Sequence, residues 1–256
     1  MQKKEKIKLN THMPEDLFDK AAALLKQSHN TVALTGAGVS TESGIADFRG
    51  KGGLWSRYDP YEYGTMGAFL SDPEKVWRML ASLLKIVNAE PNTGHKGLAA
   101  LEEKGLLTGI ITQNIDGLHQ KGGSKNVVEF HGSLDSFSCL TCGESYSLAH
   151  VKECPLPPYC AACDAILKPD IVFYDERIPD MVLAKSRQML ASADLLLVAG
   201  TSCQVEPAAR IPHLVHKQGG KIIEINKEPA LNHLATITLE GNFSTVLGEL
   251  IERLAE

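Results

Sequence analysis

Four cysteines carry the most specific chemistry in this chain. Cys139-Leu-Thr-Cys142 and Cys160-Ala-Ala-Cys163 form two C-x-x-C pairs with 17 residues between them, the spacing of a zinc ribbon. Each pair sets two thiolates on one side of a turn, and two such turns complete a tetrahedral site. With Cys139, Cys142, Cys160 and Cys163 filling every position, water and substrate have no vacancy. One structural Zn2+ is therefore expected to hold a small module together. Cys154, between the pairs, is either a spare thiol or an alternative ligand.

A second group of polar residues is spread along the chain. Gly36-Ala37-Gly38 follows the β-branched run Thr31-Val-Ala-Leu-Thr35, where a strand hands over to a helix. Glycines there permit tight turning and close approach of backbone N–H groups to phosphate oxygens, at the positive end of the following helix. The usual dinucleotide fingerprint needs a third glycine at 41, where Thr41 stands, and the next glycine is Gly44; a G-x-G alone is weak evidence. Asp47-Phe48-Arg49 adds a flat apolar face and a permanently charged fork. The plainer reading is that Phe48 packs in the core and Arg49 is solvated. Gln113-Asn114-Ile115-Asp116 follows one candidate strand and Phe130-His131 another. Asn114 and Asp116 have the groups to hydrogen-bond a ribose and a carboxamide, and His131 is the candidate general base near neutral pH. A structural, hydrogen-bonded role is the alternative for a single histidine after a strand. Of the nine histidines, His95, His119 and the others lack comparable polar neighbours in the sequence.

The elements that must position these residues alternate. Helical periodicity covers 15–27, followed by strand candidates at 30–35, 108–112, 127–130, 171–174, 194–199, 221–225 and 235–239. Several have nearly continuous apolar centres, as strands covered on both faces do. Helical stretches at 93–104, 180–192, 207–218 and 243–255 lie between or after them. The pattern predicts an α/β fold with a doubly wound, open parallel sheet, in which ligands bind beyond the carboxyl ends of the strands. Gly36, Asn114, His131, Gly200 and Asn226 all fall there. Two stretches interrupt the alternation: 51–92, turn-rich and then helical near 73–87, and 134–168, with both cysteine pairs, three prolines and few core-forming runs.

Composition narrows the class. The chain has 256 residues, 43% of them apolar, and a net charge of −5; a sizeable core is expected and disorder is not. Without a long basic run, neither a nucleic-acid surface nor an anionic membrane is indicated. No run approaches the roughly 20 apolar residues of a membrane span. The start, with Lys3-Lys4-Glu5-Lys6, lacks a signal-peptide core and reads as a frayed terminus. Paired cysteines of this kind fit a reducing compartment, so a cytoplasmic protein is expected. The oligomeric state is not legible.

Taken in order, Gly36-Ala-Gly-Val-Ser40 with Gly44-Ile-Ala-Asp-Phe-Arg49, Thr112-Gln-Asn-Ile-Asp-Gly-Leu-His119, Phe130-His-Gly132, the cysteine pairs, Lys168-Pro-Asp-Ile-Val-Phe173, Gly200-Thr-Ser202 and Ile225-Asn226 resemble the sirtuin family over nearly the whole chain. The resemblance implies an NAD-dependent protein lysine deacylase that consumes NAD as co-substrate. It implies a Rossmann-like domain of 1–50, 93–133 and 169–256, with a smaller domain composed of a helical module, 51–92, and a zinc-ribbon module, 134–168. It assigns Gly36, Ala37, Gly38, Thr41, Asp47, Phe48 and Arg49 to the cofactor loop, and Gln113, Asn114, Ile115 and Asp116 to nicotinamide and its ribose. Gly200, Thr201, Ser202 and Asn226 fall on the adenosine side. Acyl-lysine protein substrates would lie as an added strand along Val172 and Phe173. His131 and Asn114 are the implied catalytic residues. In the implied mechanism the acyl oxygen attacks C1′ of the ribose and nicotinamide leaves; His131 then deprotonates a ribose hydroxyl, and an O-acyl-ADP-ribose is released.

The chain departs from the family pattern in three places. Many relatives continue Phe-Gly-Glu after Val172-Phe173, whereas here Tyr174-Asp175-Glu176 follows, putting a side chain and a charge near the expected peptide groove. Cys203 stands where a leucine is common, as a redox handle or a buried apolar substitute. The Tyr-x-x-Arg pair of the desuccinylating branch, aligned on Val76-Trp77, falls on Leu80 and Leu83, so uncharged acyl groups are expected. Three competitors remain: ADP-ribosyl transfer, disfavoured by Asn114 with His131; an NAD sensor without turnover; and a nucleic-acid-binding ribbon. The last is disfavoured because Lys152 is the only Lys or Arg between 139 and 163.

Overall fold

The computed structural model describes residues 15–50, 52–231 and 233–255; the Lys3–Lys6 run lies outside them. Nine strands are present among these residues: β1 (Thr31–Thr35), β2 (Gly109–Thr112), β3 (Val127–Glu129), β4 (Gly132–Cys139), β5 (Ser145–Ser147), β6 (Leu167–Ile171), β7 (Leu195–Ala199), β8 (Lys221–Asn226) and β9 (Ile237–Glu240). The helices are α1 (Glu15–Gln27), α2 (Pro60–Tyr63), α3 (Met66–Ser71), α4 (Pro73–Leu83), α5 (Thr93–Glu103), α6 (Leu118–Lys121), α7 (Leu148–Glu153), α8 (Asp180–Leu190), α9 (Ile211–Lys217) and α10 (Phe243–Ala255).

Six strands form a parallel sheet in the order β3-β2-β1-β7-β8-β9. All five residues of β1 and of β7 are buried, which is why Thr-Val-Ala-Leu-Thr and Leu-Leu-Leu-Val-Ala carry no polar alternation. One face packs against α1, α5 and α10. Phe18, Ala21, Ala22 and Leu25 of α1 and Phe243, Val246, Leu247 and Leu250 of α10 follow helical spacing and meet Ala33, Leu197 and Ile223 of the sheet. The other face packs against α8 and α9, with Met189, Leu190, Ile211 and Val215 over Val32, Leu34, Leu196 and Ile222. The chain moves outward from β1 to β3 and returns to place β7 beside β1. The strand order therefore reverses between β1 and β7, where a crevice opens at the carboxyl ends.

A second sheet, β5-β4-β6, is antiparallel. Here the structure corrects the sequence expectation. The strand read at 171–174 lies at 167–171 and belongs to this small sheet, with Val172 to Tyr174 leaving it. Pro169 is accommodated because β6 is an edge strand, where a proline forfeits no ladder hydrogen bond. The helical stretch near 73–87 is α4 followed by a 3-10 turn over Leu84–Asn88.

The small sheet and α4 share a separate core. Val76, Trp77, Met79, Leu80 and Leu83 pack with Leu134, Phe137, Val151 and Leu167. Trp77 stacks on Phe137 and donates from Nε1 to the Leu167 carbonyl at 2.8 Å, giving a buried indole both its apolar and its polar contact. No helix among the described residues is long and apolar enough to cross a membrane.

Candidate active site

A cleft of about 980 Å³ runs along the carboxyl ends of the parallel strands and continues under β6. Gly36, Ala37, Gly38, Thr41, Asp47, Phe48, Arg49, Gln113, Asn114, Ile115, His131, Val172, Phe173, Gly200, Thr201, Ser202 and Asn226 all line it. Asp116 does not. It lines an adjoining cavity of about 80 Å³ together with Ser40, Ile45, Arg57 and Ile86, and Ala37, Phe48, Leu54, Leu83, Asn114 and Ile115 line both.

The glycines do something other than the sequence suggests. Gly36 N–H donates to the Ala199 carbonyl at 3.1 Å and Gly38 N–H to the Gly200 carbonyl at 2.8 Å. These two amides are thus turned to the neighbouring crossover, and the phosphate cradle expected of them is not how they are used. A Cβ on Gly38 would stand 2.7 Å from Gly200 Cα, and one on Gly36 2.8 Å from Thr201 Cβ; the close approach is between two backbones. The helix that follows is a seven-residue 3-10 turn, Ala37–Ser43, and Thr41 fastens it by donating from Oγ1 to the Gly38 carbonyl at 2.9 Å. Thr41 therefore takes the place of the missing glycine without any need for a left-handed residue. Asp47 accepts from Gly50 N–H at 2.8 Å and closes the loop that carries Phe48 and Arg49.

His131 is half-buried just beyond β3. Its Nδ1 lies 3.2 Å from the Gln113 carbonyl. Since a carbonyl only accepts, Nδ1 carries the hydrogen, and Nε2 holds the lone pair. Burial lowers the imidazole below its ordinary value, with the Gln113 carbonyl opposing the shift, so the ring is neutral at pH 7. Gln113 is itself fixed, donating from Nε2 to Thr201 Oγ1 at 2.9 Å. The arrangement can take a proton.

Beside it lies a buried polar network that joins the expected Asn114 and Asp116 to Ser40, Thr35, Thr112 and His119. Ser40 Oγ donates to Asp116 Oδ2 at 2.7 Å and accepts from Asn114 Nδ2 at 3.0 Å, while Asp116 Oδ1 accepts from Leu118 N–H at 2.9 Å. Asn114 N–H donates to Thr112 Oγ1, which accepts from Thr35 Oγ1, and that hydroxyl lies 2.9 Å from His119 Nε2. His95 and His119, which lack polar neighbours in the sequence, are both fully buried and meet edge to face at 4.9 Å between ring centres. Burial pushes His119 down to about 3, with His95 adding to the shift, and lowers His95 as well. Sequence neighbours do not reveal these contacts because the partners Thr35 and Ser40 are more than fifty residues away.

Asn226 closes β8. Its side chain accepts from Thr201 N–H and donates to the Thr201 carbonyl, each at 3.1 Å, and a further N–H goes to the buried Glu224 at 2.7 Å. Cys203, on the cleft wall, is in the left-handed region at φ 50°. Burial raises its thiol to about 11, which removes the thiolate a redox handle needs. Leu83 lines both cavities with Met79 and Leu54 nearby, but Leu80 lies in the small core and does not reach the cleft. In the 172–174 segment, Val172 N–H donates to the His131 carbonyl, Phe173 N–H to Glu176 and Tyr174 N–H to the Gly64 carbonyl, at 2.8, 3.0 and 2.9 Å.

The four expected cysteines converge: all their sulfurs lie within 4.8 Å of one another, with Cys139–Cys163 at 3.4 Å and Cys142–Cys160 at 3.5 Å. Zinc held tetrahedrally at about 2.3 Å sets sulfurs about 3.8 Å apart, so the quartet fits that ion. Tyr146 Oη, 3.2 Å from Cys160 Sγ, is an outer partner of the kind that orients a thiolate ligand. Cys154 lies apart, against the His150 carbonyl at 3.4 Å. It is the spare thiol.

Residues 36–207 match the model of the Sir2 family. The chain belongs to that family. An NAD-dependent protein deacylase of Archaeoglobus fulgidus is 43% identical over 238 residues, 92% of this chain and 97% of that protein. A solved complex of a Sir2 homologue with NAD superposes with a TM-score of 0.87 at 43% identity, covering 95% of this chain and 94% of the other. A Sir2 structure with a deacetylated p53 peptide and 3′-O-acetyl ADP ribose superposes with a TM-score of 0.87 at 36% identity, over 92% of this chain and 97% of that one.

Proposed function

We propose that this Sir2 protein is an NAD-dependent protein lysine deacylase that transfers the acyl group to ADP-ribose and releases nicotinamide. The observation that carries the reading is His131: its Nδ1–H is pinned to the Gln113 carbonyl, so its basic Nε2 is available in the cleft of about 980 Å³ that Asn114 also lines. Bound NAD supplies the ribose carbon at which the bond to nicotinamide breaks and the ADP-ribose that accepts the acyl group.

The chain's own residues do the rest. His131 takes a proton from a ribose hydroxyl, a role its neutral ring suits. Asn114 and Asp116, held by Ser40, present fixed polar atoms toward ribose and carboxamide, with Gln113 and Ile115 flanking them. Gly36, Ala37, Gly38, Thr41, Asp47, Phe48 and Arg49 form the wall over the dinucleotide, and Arg49 supplies charge for its phosphates. Gly200, Thr201, Ser202 and Asn226 take the adenosine side. Substrate lysine enters along Val172 and Phe173. Three successive N–H groups of that segment are already engaged within the chain, so an added peptide strand would pair through other groups. The quartet, closed by four thiolates, holds Zn2+ structurally and leaves it no open position for catalysis.

The apolar wall of Leu54, Met79, Leu83, Ile115 and Phe173 suits acetyl or longer uncharged acyl chains. The two cores on either side of the cleft support a division into a dinucleotide domain of 1–50, 93–133 and 169–256 and a small domain of 51–92 and 134–168. The spacing of free thiols fits a cytoplasmic protein. The decisive test is nicotinamide release by the purified chain with NAD: it should require an acyl-lysine peptide. Tight NAD binding with no peptide-dependent release would sink the reading.

A further inference from the structure

Tyr174 and Asp175 follow directly on Val172–Phe173, and both side chains are engaged. The Asp175 carboxylate accepts from the backbone N–H of Met66 and, at 3.1 Å, from that of Gly67, at the start of α3. The charge expected near the peptide groove is thus already occupied. Tyr174 N–H donates to the Gly64 carbonyl at 2.9 Å, and this approach needs glycine, because a Cβ on Gly64 would stand 2.9 Å from the Trp55 ring and 3.2 Å from Tyr174 Cδ2. On the other side, Arg49 Nη2 donates to Tyr174 Oη at 3.3 Å. Phe48, Trp55 and Tyr174 form a continuous aromatic row, with ring centres 5.8 and 5.7 Å apart. Phe48, Arg49, Trp55, Gly64 and Tyr174 all line the cleft.

We propose that Tyr174 is a positioning residue that couples the two ligand sites: with Asp175 anchoring the segment to α3, its hydroxyl ties the peptide-bearing Val172–Phe173 segment to Arg49 of the cofactor loop. Phenylalanine has no atom to receive the Arg49 hydrogen, and glycine none to receive those of Met66 and Gly67. An acyl-peptide that fixes residues 172–174 therefore also fixes Arg49 and Phe48, and the ordering cost of the loop is met before the dinucleotide arrives. Coupling between ligands is reciprocal, so ADP-ribose strengthens peptide binding by the same factor. The inference rests on the deacylase reading for the identity of the two ligands.

The test is calorimetric titration of ADP-ribose into the zinc-loaded full chain, with and without saturating acetyl-lysine peptide. In the wild type the peptide should tighten ADP-ribose binding by about 5-fold or more, the lower range of coupling between sites. Y174F should bring that ratio below about 2, while D175N should speed hydrogen exchange at the Met66 and Gly67 amides. A wild-type ratio of one, or an unchanged ratio in Y174F, overturns the coupling; unchanged exchange in D175N overturns the anchor. Nicotinamide release is scored separately. Coupling without release would refute the deacylase reading alone, and release without Tyr174-dependent coupling would refute this inference alone.

Discussion

The cysteine module and the switch-point cleft are both built from irregular backbone, but they are held in different ways. Four thiolates from two short turns converge within 4.8 Å, and a single ion can fix them. The cleft has no such centre. Its loops are fixed by many weak contacts between distant segments: Gly38 against Gly200, Ser40 between Asp116 and Asn114, and His131 on the Gln113 carbonyl. A centre made of four equivalent bonds fails all at once, whereas a distributed network loses function piece by piece.

That contrast can be broken experimentally. The largest effect is expected from the quartet. Cys139→Ser or Cys160→Ser, or chelation of the wild type, should release the metal, whose binding in small zinc modules is worth on the order of 10 kcal/mol. Hydrogen exchange should then rise through β4, β5 and α7 while β1 and β7 stay protected. Uniform loss of protection would mean that the two regions fold as one unit. His131→Ala comes next. It should cost about 10²- to 10⁴-fold in deacylation, the usual weight of a general base, with zinc content and melting temperature unchanged. The acid limb of kcat/KM in the wild type should lie below the ordinary histidine value, since burial lowers His131; an acid limb above it would contradict the assignment.

Smaller effects sharpen the distributed side. Gly38→Ala puts a Cβ 2.7 Å from Gly200 Cα, and neither backbone can yield freely. About 1 to 3 kcal/mol of stability should be lost, together with NAD affinity, as read from denaturant unfolding and calorimetry. The smallest effect, taken per pH unit, is in acid titration. His119 falls to about 3 in the folded chain from about 6.5 when unfolded. The unfolded state therefore binds the extra proton between these values, and stability should drop by about 1.4 kcal/mol per pH unit as pH falls through that window. His119→Asn should remove that slope; a variant with the wild-type slope would place the proton elsewhere.

How much was legible depended on sequence distance. The strands at 31–35 and 195–199 declared themselves because burial on both faces leaves a nearly continuous apolar centre, and β8 did so through Ile222, Ile223 and Ile225. Helix α1 followed from the spacing of Phe18, Ala21, Ala22 and Leu25. The apolar run 171–174 points to a strand there, whereas β6 is Leu167–Ile171, an edge strand that tolerates Lys168 and Pro169. The buried pair His95 and His119 was passed over because nothing near either residue marks it as polar-lined.

The sequence by itself determined the parallel α/β frame and the cysteine quartet, because periodicity and C-x-x-C spacing are local patterns, and strand ends marked Gly36, Asn114, His131, Gly200 and Asn226; the remaining cleft residues came from the family resemblance. Only the tertiary structure decided what those residues do for one another. It turned the Gly36 and Gly38 amides to the 199–200 backbone, moved Asp116 into the adjoining cavity, set His131 Nδ1–H on Gln113, and spent the Asp175 charge on α3. Hydrogen-bond direction and backbone contact depend on which distant segments the fold brings within about 3 Å, and no local pattern carries that information.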